Sequence, residues 1–185
     1  ARHLKPALLE LGGKAPLLVL DDADLEAAVQ AAAFGAYFNQ GQICMSTERL
    51  VVDAKVADAF VDKLASKAAS LHAGDPSDSL SVLGSLIDAS AGQRIKALVD
   101  DALAKGARLV TGGQLSGSIM QATLLDGVTR DMRLYHEESF GPVAVVLRGA
   151  GDEELLRLAN DSEFGLSAAI FSRDVSRALL LAQRV

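Results

Sequence analysis

Apolar positions along the chain follow two periods that take turns, one suited to strands and one to helices. A short apolar run over residues 16–20 predicts a strand, and Asp21-Asp22-Ala23-Asp24 behind it offers several N-cap side chains. The Ala-rich stretch 25–38 then has helical composition, and residues 50–52 predict a strand ending at Asp53. Val56, Phe60, Leu64, Ala68 and Leu71 fall on one helical face, with Asp58, Asp62 and Lys63 off it. Gly74-Asp75-Pro76-Ser77-Asp78 is a loop by composition. An amphipathic helix is predicted over 88–105, with Gly106 as its C′ glycine. A strand over 107–110, a turn at Gly112-Gly113 and a strand-and-loop stretch over 120–133 follow. Beyond them come a strand over 143–147, a helix capped by Asp152 and running to about Asn160, and a strand over 166–171. A last helix begins at Asp174 and stops without a cap. Strands separated by helices of this length imply an α/β fold, a mainly parallel sheet flanked by helices on both faces. No internal repeat or low-complexity linker interrupts it.

Composition narrows the classes. The 185 residues suit one domain, 1–185, and 50% hydrophobic with 23% charged residues is the balance of a soluble globular chain. The longest apolar runs are five or six residues, so no segment spans a membrane and no membrane partner is expected. A net charge of −6 argues against nucleic acid. Aromatic residues are only 4% and Trp is absent, so the core must be built from Ala, Leu and Val. The single cysteine, Cys44, excludes an internal disulfide, and His3, His72 and His136 are too scattered to hold zinc. The chain lacks an initiator Met and resembles no signal peptide at its start, so it is expected to be a piece of a longer one.

Three places carry candidate chemistry. Cys44 stands in Asn39-Gln40-Gly41-Gln42-Ile43-Cys44-Met45-Ser46-Thr47, a polar turn after a helix. A turn glycine gathers backbone N–H groups that stabilise a thiolate and later an oxyanion, although a lone Cys is also a common small core residue. Glu10 lies within Ala7-Leu8-Leu9-Glu10-Leu11, where a partly desolvated carboxylate suits general-base work; a solvent-facing Glu or one paired with Lys14 is the alternative. Glu137-Glu138-Ser139-Phe140-Gly141-Pro142 reads either as a functional acidic turn or as a polar loop entering the next strand.

Taken together, Glu10-Leu11-Gly12-Gly13-Lys14, Asn39-Gln40-Gly41-Gln42 with Cys44, and Glu138 with Phe140-Gly141-Pro142 resemble the NAD(P)-dependent aldehyde dehydrogenases. The likeness continues through Asn160 and Phe164-Gly165-Leu166-Ser167-Ala168-Ala169 and covers essentially the whole chain. Residues 42–49 are most similar to the dehydrogenases of aromatic aldehydes such as salicylaldehyde, vanillin or benzaldehyde. Gln121 departs from the Pro usual before that strand.

The resemblance implies a catalytic domain without the family's Rossmann-like cofactor domain and oligomerisation segment. It implies NAD as cofactor, with NADP not excluded, a small aldehyde as substrate, a homodimer or homotetramer for the full-length enzyme, and a cytoplasmic location. Cys44 would be the nucleophile that passes through a thiohemiacetal to a thioester, with an Asn from outside this chain helping hold the oxyanion. Glu10 would be the base for hydrolysis. Glu138, Phe140, Leu11 and Gly12 would face the nicotinamide end of the cofactor, and Phe38, Ile43 and Met45 would flank the aldehyde. Two competing readings are a CoA-acylating member of the same family, against which Glu10 argues, and a cofactor-independent Cys esterase or non-catalytic domain.

Overall fold

The computed structural model describes residues 5–185, and His3 lies outside that range. The chain runs β1 (Ala15–Val19), α1 (Leu25–Tyr37), a 3-10 turn (Phe38–Gly41), β2 (Thr47–Asp53), α2 (Ala57–Ala69) and α3 (Ala89–Ala104). It continues β3 (Arg108–Thr111), β4 (Leu115–Ser116), β5 (Ile119–Met120), β6 (Thr123–Asp126), α4 (Arg133–His136), β7 (Val143–Gly149), α5 (Gly151–Asn160), β8 (Ala169–Phe171) and α6 (Val175–Ala182). Six of the strands form one sheet in the order β3-β6-β7-β2-β1-β8. Its pairings are parallel except for β3 with β6.

The apolar runs are continuous because both faces of the sheet are covered. Leu17, Val19, Leu50, Val52, Ala144 and Val146 pack with α1 and α2 on one side. Leu18, Leu20, Val51, Val145 and Leu147 meet α3 and α5 on the other. Small side chains on α1 (Ala28, Ala32, Ala33, Ala36) let that helix lie close to the strands. Asp24 caps α1 by accepting the N–H groups of Glu26 and Ala27. Gly106 follows α3 with φ +100, the left-handed geometry expected of a C′ glycine.

Several boundaries differ from the sequence pattern. β2 starts at Thr47, because Thr47, Glu48 and Arg49 are buried strand residues despite their polarity. Ala150, not Asp152, caps α5; Asp152 sits in its first turn, while Glu154 and Asp53 accept the Ala150 and Gly151 N–H groups. Only Ala169–Phe171 of the stretch 166–171 pairs as a strand, since that is the length that reaches β1. α6 does close at its end: the Gln183 N–H bonds back to Leu179 and Leu181, and Asn160 holds the Arg184 carbonyl at 2.7 Å.

At the carboxyl ends of the strands, ion pairs fill the edge. Arg148 reaches Asp126 and Asp58, each at 2.7 Å. Arg177, from α6, reaches Asp21 and Asp152, each at 2.9 Å, and so ties α6 to the end of β1 and the start of α5. Hydrogen bonds from Lys55 and Arg177 pull the Asp21 carboxyl from its ordinary 3.8 to about 2. A carboxylate depressed in this way stabilises the fold above pH 3.8, and that contribution disappears as the pH falls through about 2. Asp101 and, against its burial, Asp126 are held low by their partners in the same way, as are other carboxylates. Melting temperature should therefore fall between pH 4 and 2, with Asp21→Asn removing a small part of that fall; an identical fall in the variant would remove Asp21 from the cause.

Candidate active site

The chemistry-bearing segments all precede strands. Residues 10–14 lead into β1, 38–46 into β2 and 137–142 into β7, and these three strands are neighbours in the sheet. Parallel pairing therefore brings the segments together at the amino edge. This is opposite to the common preference of open α/β sheets for ligands at the carboxyl ends.

Cys44 is reached through an abrupt exit from α1. Tyr37 ends the helix with its hydroxyl donated to the Thr123 carbonyl at 3.2 Å, and complete burial pushes that hydroxyl's pKa up. Asn39, Gln40 and Gly41 then take left-handed backbone, with φ of 51°, 56° and 68°. Glycine is needed at 41 on a second ground: a Cβ there would lie 2.1 Å from the Gly141 carbonyl oxygen. Gln42 anchors the turn by accepting the Ile87 N–H at 2.8 Å and donating to the Ser85 carbonyl at 3.4 Å. Cys44 sits half-buried beyond it, and the Ser46 N–H bonds the Ile43 carbonyl to close the turn.

The segment before β1 packs directly on this turn. A Cβ at Gly13 would lie 1.9 Å from the Cys44 carbonyl oxygen, so only glycine permits the approach. The Gly13 N–H donates to Glu138 Oε1 at 2.8 Å, and Glu138 Oε2 would lie only 2.8 Å from a Cβ at Gly12. Lys14 Nζ donates to Glu48 Oε2 and to the Glu137 carbonyl, each at 2.7 Å. Glu48 in turn accepts the N–H groups of Ser139 at 2.9 Å and Phe140 at 3.1 Å. Arg133 holds the Glu137 carboxylate below its ordinary range by hydrogen bonding.

Each residue expected at the site can now be located. Glu10 is exposed, not partly desolvated: residues 5–11 do not join the sheet, and Leu8, Leu9 and Leu11 around it are 88%, 69% and 77% exposed. Lys14 turns away from Glu10 to Glu48. Phe38 and Ile43 share a groove of about 690 Å³ with Phe34, Val82 and Leu83, and the rings of Phe34 and Phe38 stack at 4.9 Å. Met45, 58% exposed, lies outside that groove. Glu138 and Gly12 meet, and the Phe140 ring is partly exposed on left-handed backbone with φ 48°. Asn160 and residues 164–168 line a separate cavity of about 450 Å³ beside Lys14.

Sequence reasoning missed Glu48, Arg49 and Arg94. The signal was present in the polar triplet Thr47-Glu48-Arg49 directly before an apolar run. Strand periodicity sends neighbouring side chains to opposite faces. Arg49 duly donates to the Leu158 and Ala159 carbonyls at the end of α5, with its guanidinium 5.0 Å from the Tyr135 ring centre. Burial lowers the Arg49 pKa, opposed by Tyr135 and Asp161. Among the described residues, the buried hydroxyls of Ser46 and Ser139 have no hydrogen-bond partner, and no group of His, Cys, Asp and Glu is placed to hold a metal ion.

A glycine-built crossing of three strand entries around a lone thiol agrees with the family likeness of the sequence. The chain belongs to the aldehyde dehydrogenase family, whose sequence pattern matches residues 1–185. It is 84% identical over 185 residues to the vanillin dehydrogenase of Pseudomonas fluorescens, covering all of this chain and 38% of that protein. It is 55% identical over 180 residues to the salicylaldehyde dehydrogenase of Pseudomonas putida, covering 97% of this chain and 37% of that protein. The crystal structure of a salicylaldehyde dehydrogenase from Pseudomonas putida G7 complexed with salicylaldehyde matches at TM-score 0.96 and 52% identity, over all of this chain and 38% of that one. The chain thus spans well under half the length of these relatives.

The residues present suit one end of a nicotinamide dinucleotide. The Glu138 carboxylate, fixed through one oxygen by the Gly13 N–H, is an acceptor of the kind a ribose diol requires, and Phe140, two residues on, is partly exposed. Gly12 and Gly13 are already committed to Glu138 and Cys44, so they are not a phosphate-binding loop.

Cys44 in the native chain should react with iodoacetamide without denaturant. Gly13→Ala forces the two segments apart and should change that rate several-fold. Gly165→Ala, at a glycine with open space around it, should leave the rate unchanged. Labelling that requires denaturation would make the thiol structural.

Proposed function

We propose that this chain is the catalytic domain of an NAD(P)-dependent dehydrogenase that oxidises an aromatic aldehyde of the vanillin or salicylaldehyde kind to its carboxylate. The observation that carries the proposal is the meeting of the Cys44 turn, the Gly12-Gly13 segment behind Glu10, and Glu138 at one sheet edge. The likeness to vanillin and salicylaldehyde dehydrogenases supports the substrate class.

In this reading the Cys44 sulfur adds to the aldehyde carbon, and the backbone N–H of Cys44 helps hold the oxyanion that forms. A thiolate serves because it is a good nucleophile and also leaves readily from a thioester. Glu138 and Phe140, with Leu11 and Gly12, orient the nicotinamide riboside. When bound, the nicotinamide supplies the hydride acceptor for oxidation to the thioester. Glu10 then takes a proton from water as that water adds to the thioester carbon, and the Cys44 thiolate departs. The exposed Leu8, Leu9 and Leu11 fit a segment covered in the longer protein, where Glu10 would be shielded from bulk solvent while keeping the water it activates. Phe38 and Ile43 offer a flat apolar wall to the aldehyde ring, with Met45 on the other flank of Cys44. The cofactor's phosphate-binding domain and the oligomerisation segment of a homodimer or homotetramer belong to the remainder of the protein. Among the described residues no helix is long and apolar enough to cross a membrane.

In the full-length protein, Glu10→Gln should keep a burst of NADH while slowing steady turnover by about 10²–10⁴. Vanillin or salicylaldehyde should exceed a short aliphatic aldehyde in kcat/KM by about tenfold or more. Loss of the burst would give Glu10 an earlier role, and a better aliphatic substrate would remove the aromatic assignment.

A further inference from the structure

The segment that carries Glu138 and Phe140 is held by its backbone. Lys14 binds the Glu137 carbonyl at 2.7 Å, and Arg94 binds the carbonyls of Glu138 at 3.2 Å and Ser139 at 2.6 Å. The next free groups are the N–H of Ser139 and the N–H of Phe140, and both converge on the carboxylate of Glu48. Successive N–H groups of this kind form a concavity that binds anions. Here the anion is a side chain of β2, 3% exposed and partnered by Lys14, itself 2% exposed.

Two features say that this clasp sets geometry. Phe140 has φ 48°, a left-handed conformation that a non-glycine residue keeps only when its surroundings impose it. Glu48 grips the N–H of that same residue. Moreover, a buried ion pair adds little stability over apolar residues of the same size, so stability alone does not account for it. Glu48 also lies four residues beyond Cys44, where β2 has begun. β2 therefore grips the segment that presents Glu138 and Phe140, and the turn leading directly into β2 carries the thiol.

We propose that Glu48 is a positioning residue for nucleotide binding: without touching the nucleotide, its carboxylate fixes the Glu138 carboxylate and the Phe140 ring in their presenting geometry. This rests on the reading of Glu138 and Phe140 as the riboside-facing pair. A glutamine at 48 keeps one acceptor oxygen and turns an NH₂ toward donors, so it cannot satisfy Lys14, Ser139 and Phe140 together.

The test uses the full-length protein and Glu48→Gln, with NADH titrated by its own fluorescence and amide exchange followed through residues 137–142. The variant should bind NADH about tenfold more weakly or worse, the size of one lost charge-assisted hydrogen bond. Exchange at Ser139 and Phe140 should accelerate, while iodoacetamide labelling of Cys44 without nucleotide stays within about twofold of wild type. Should Glu48→Gln fail to fold, Arg94→Ala, at an exposed residue gripping the same segment, should show the same separation between NADH affinity and Cys44 labelling. Unchanged NADH affinity, or affinity and labelling lost in parallel, would overturn the positioning role. A wild-type protein that binds no NADH would instead overturn the dehydrogenase reading.

Discussion

The buried pairing of Lys14 with Glu48 is the interaction on which the placing of the Glu138 segment against the sheet depends. It joins the entry of β1 to that of β2, and through the Glu137 carbonyl and the Ser139 and Phe140 amides it joins both to the entry of β7. Parallel pairing already brings those entries to one edge. The ion pair fixes the 137–142 segment, while the glycine contacts of Gly13 on Cys44 and Gly41 on Gly141 separately bring the Cys44 turn into contact at atomic distance. Removing either partner would leave an uncompensated buried charge, at a cost of about 3–5 kcal/mol.

The two edges of the sheet are divided in character. At the carboxyl ends, Arg148 and Arg177 with their carboxylates close the surface and brace α6. At the amino ends, backbone polar groups are satisfied from within, and apolar or partly exposed groups are left outward: Leu11, Phe38, Cys44 and Phe140. These are the outward groups to which the proposed function assigns substrate and cofactor.

The layers were legible because two-sided burial leaves continuous apolar strands between helices with one apolar face, as β1 and α2 both illustrate. The motif segments were picked out by their likeness to the family, since each of Cys44, Glu10 and Glu138 by itself reads as readily as an ordinary core or surface residue; the structure brings those segments to one edge. What stayed hidden depends on partners distant in sequence. Thr47-Glu48-Arg49 reads as the end of a loop until Lys14, Ser139 and the carbonyls of α5 are seen to satisfy it. Glu10 reads as half-buried because its apolar neighbours imply a core, whereas those neighbours face outward. Phe38, Ile43 and Met45 read alike as flanking Cys44, and only the turn at Ile43 separates them, leaving Phe38 and Ile43 in one groove and Met45 outside it.

The central claim is that this edge forms a covalent acyl-enzyme on Cys44. It is tested most directly by acid-quenching the full-length protein during turnover of vanillin with NAD and sequencing the modified peptide by mass spectrometry. A vanilloyl thioester on Cys44, formed only when NAD is present, is the expected result. Turnover to vanillate with no acyl group on Cys44, or with the acyl group on another residue, would contradict it.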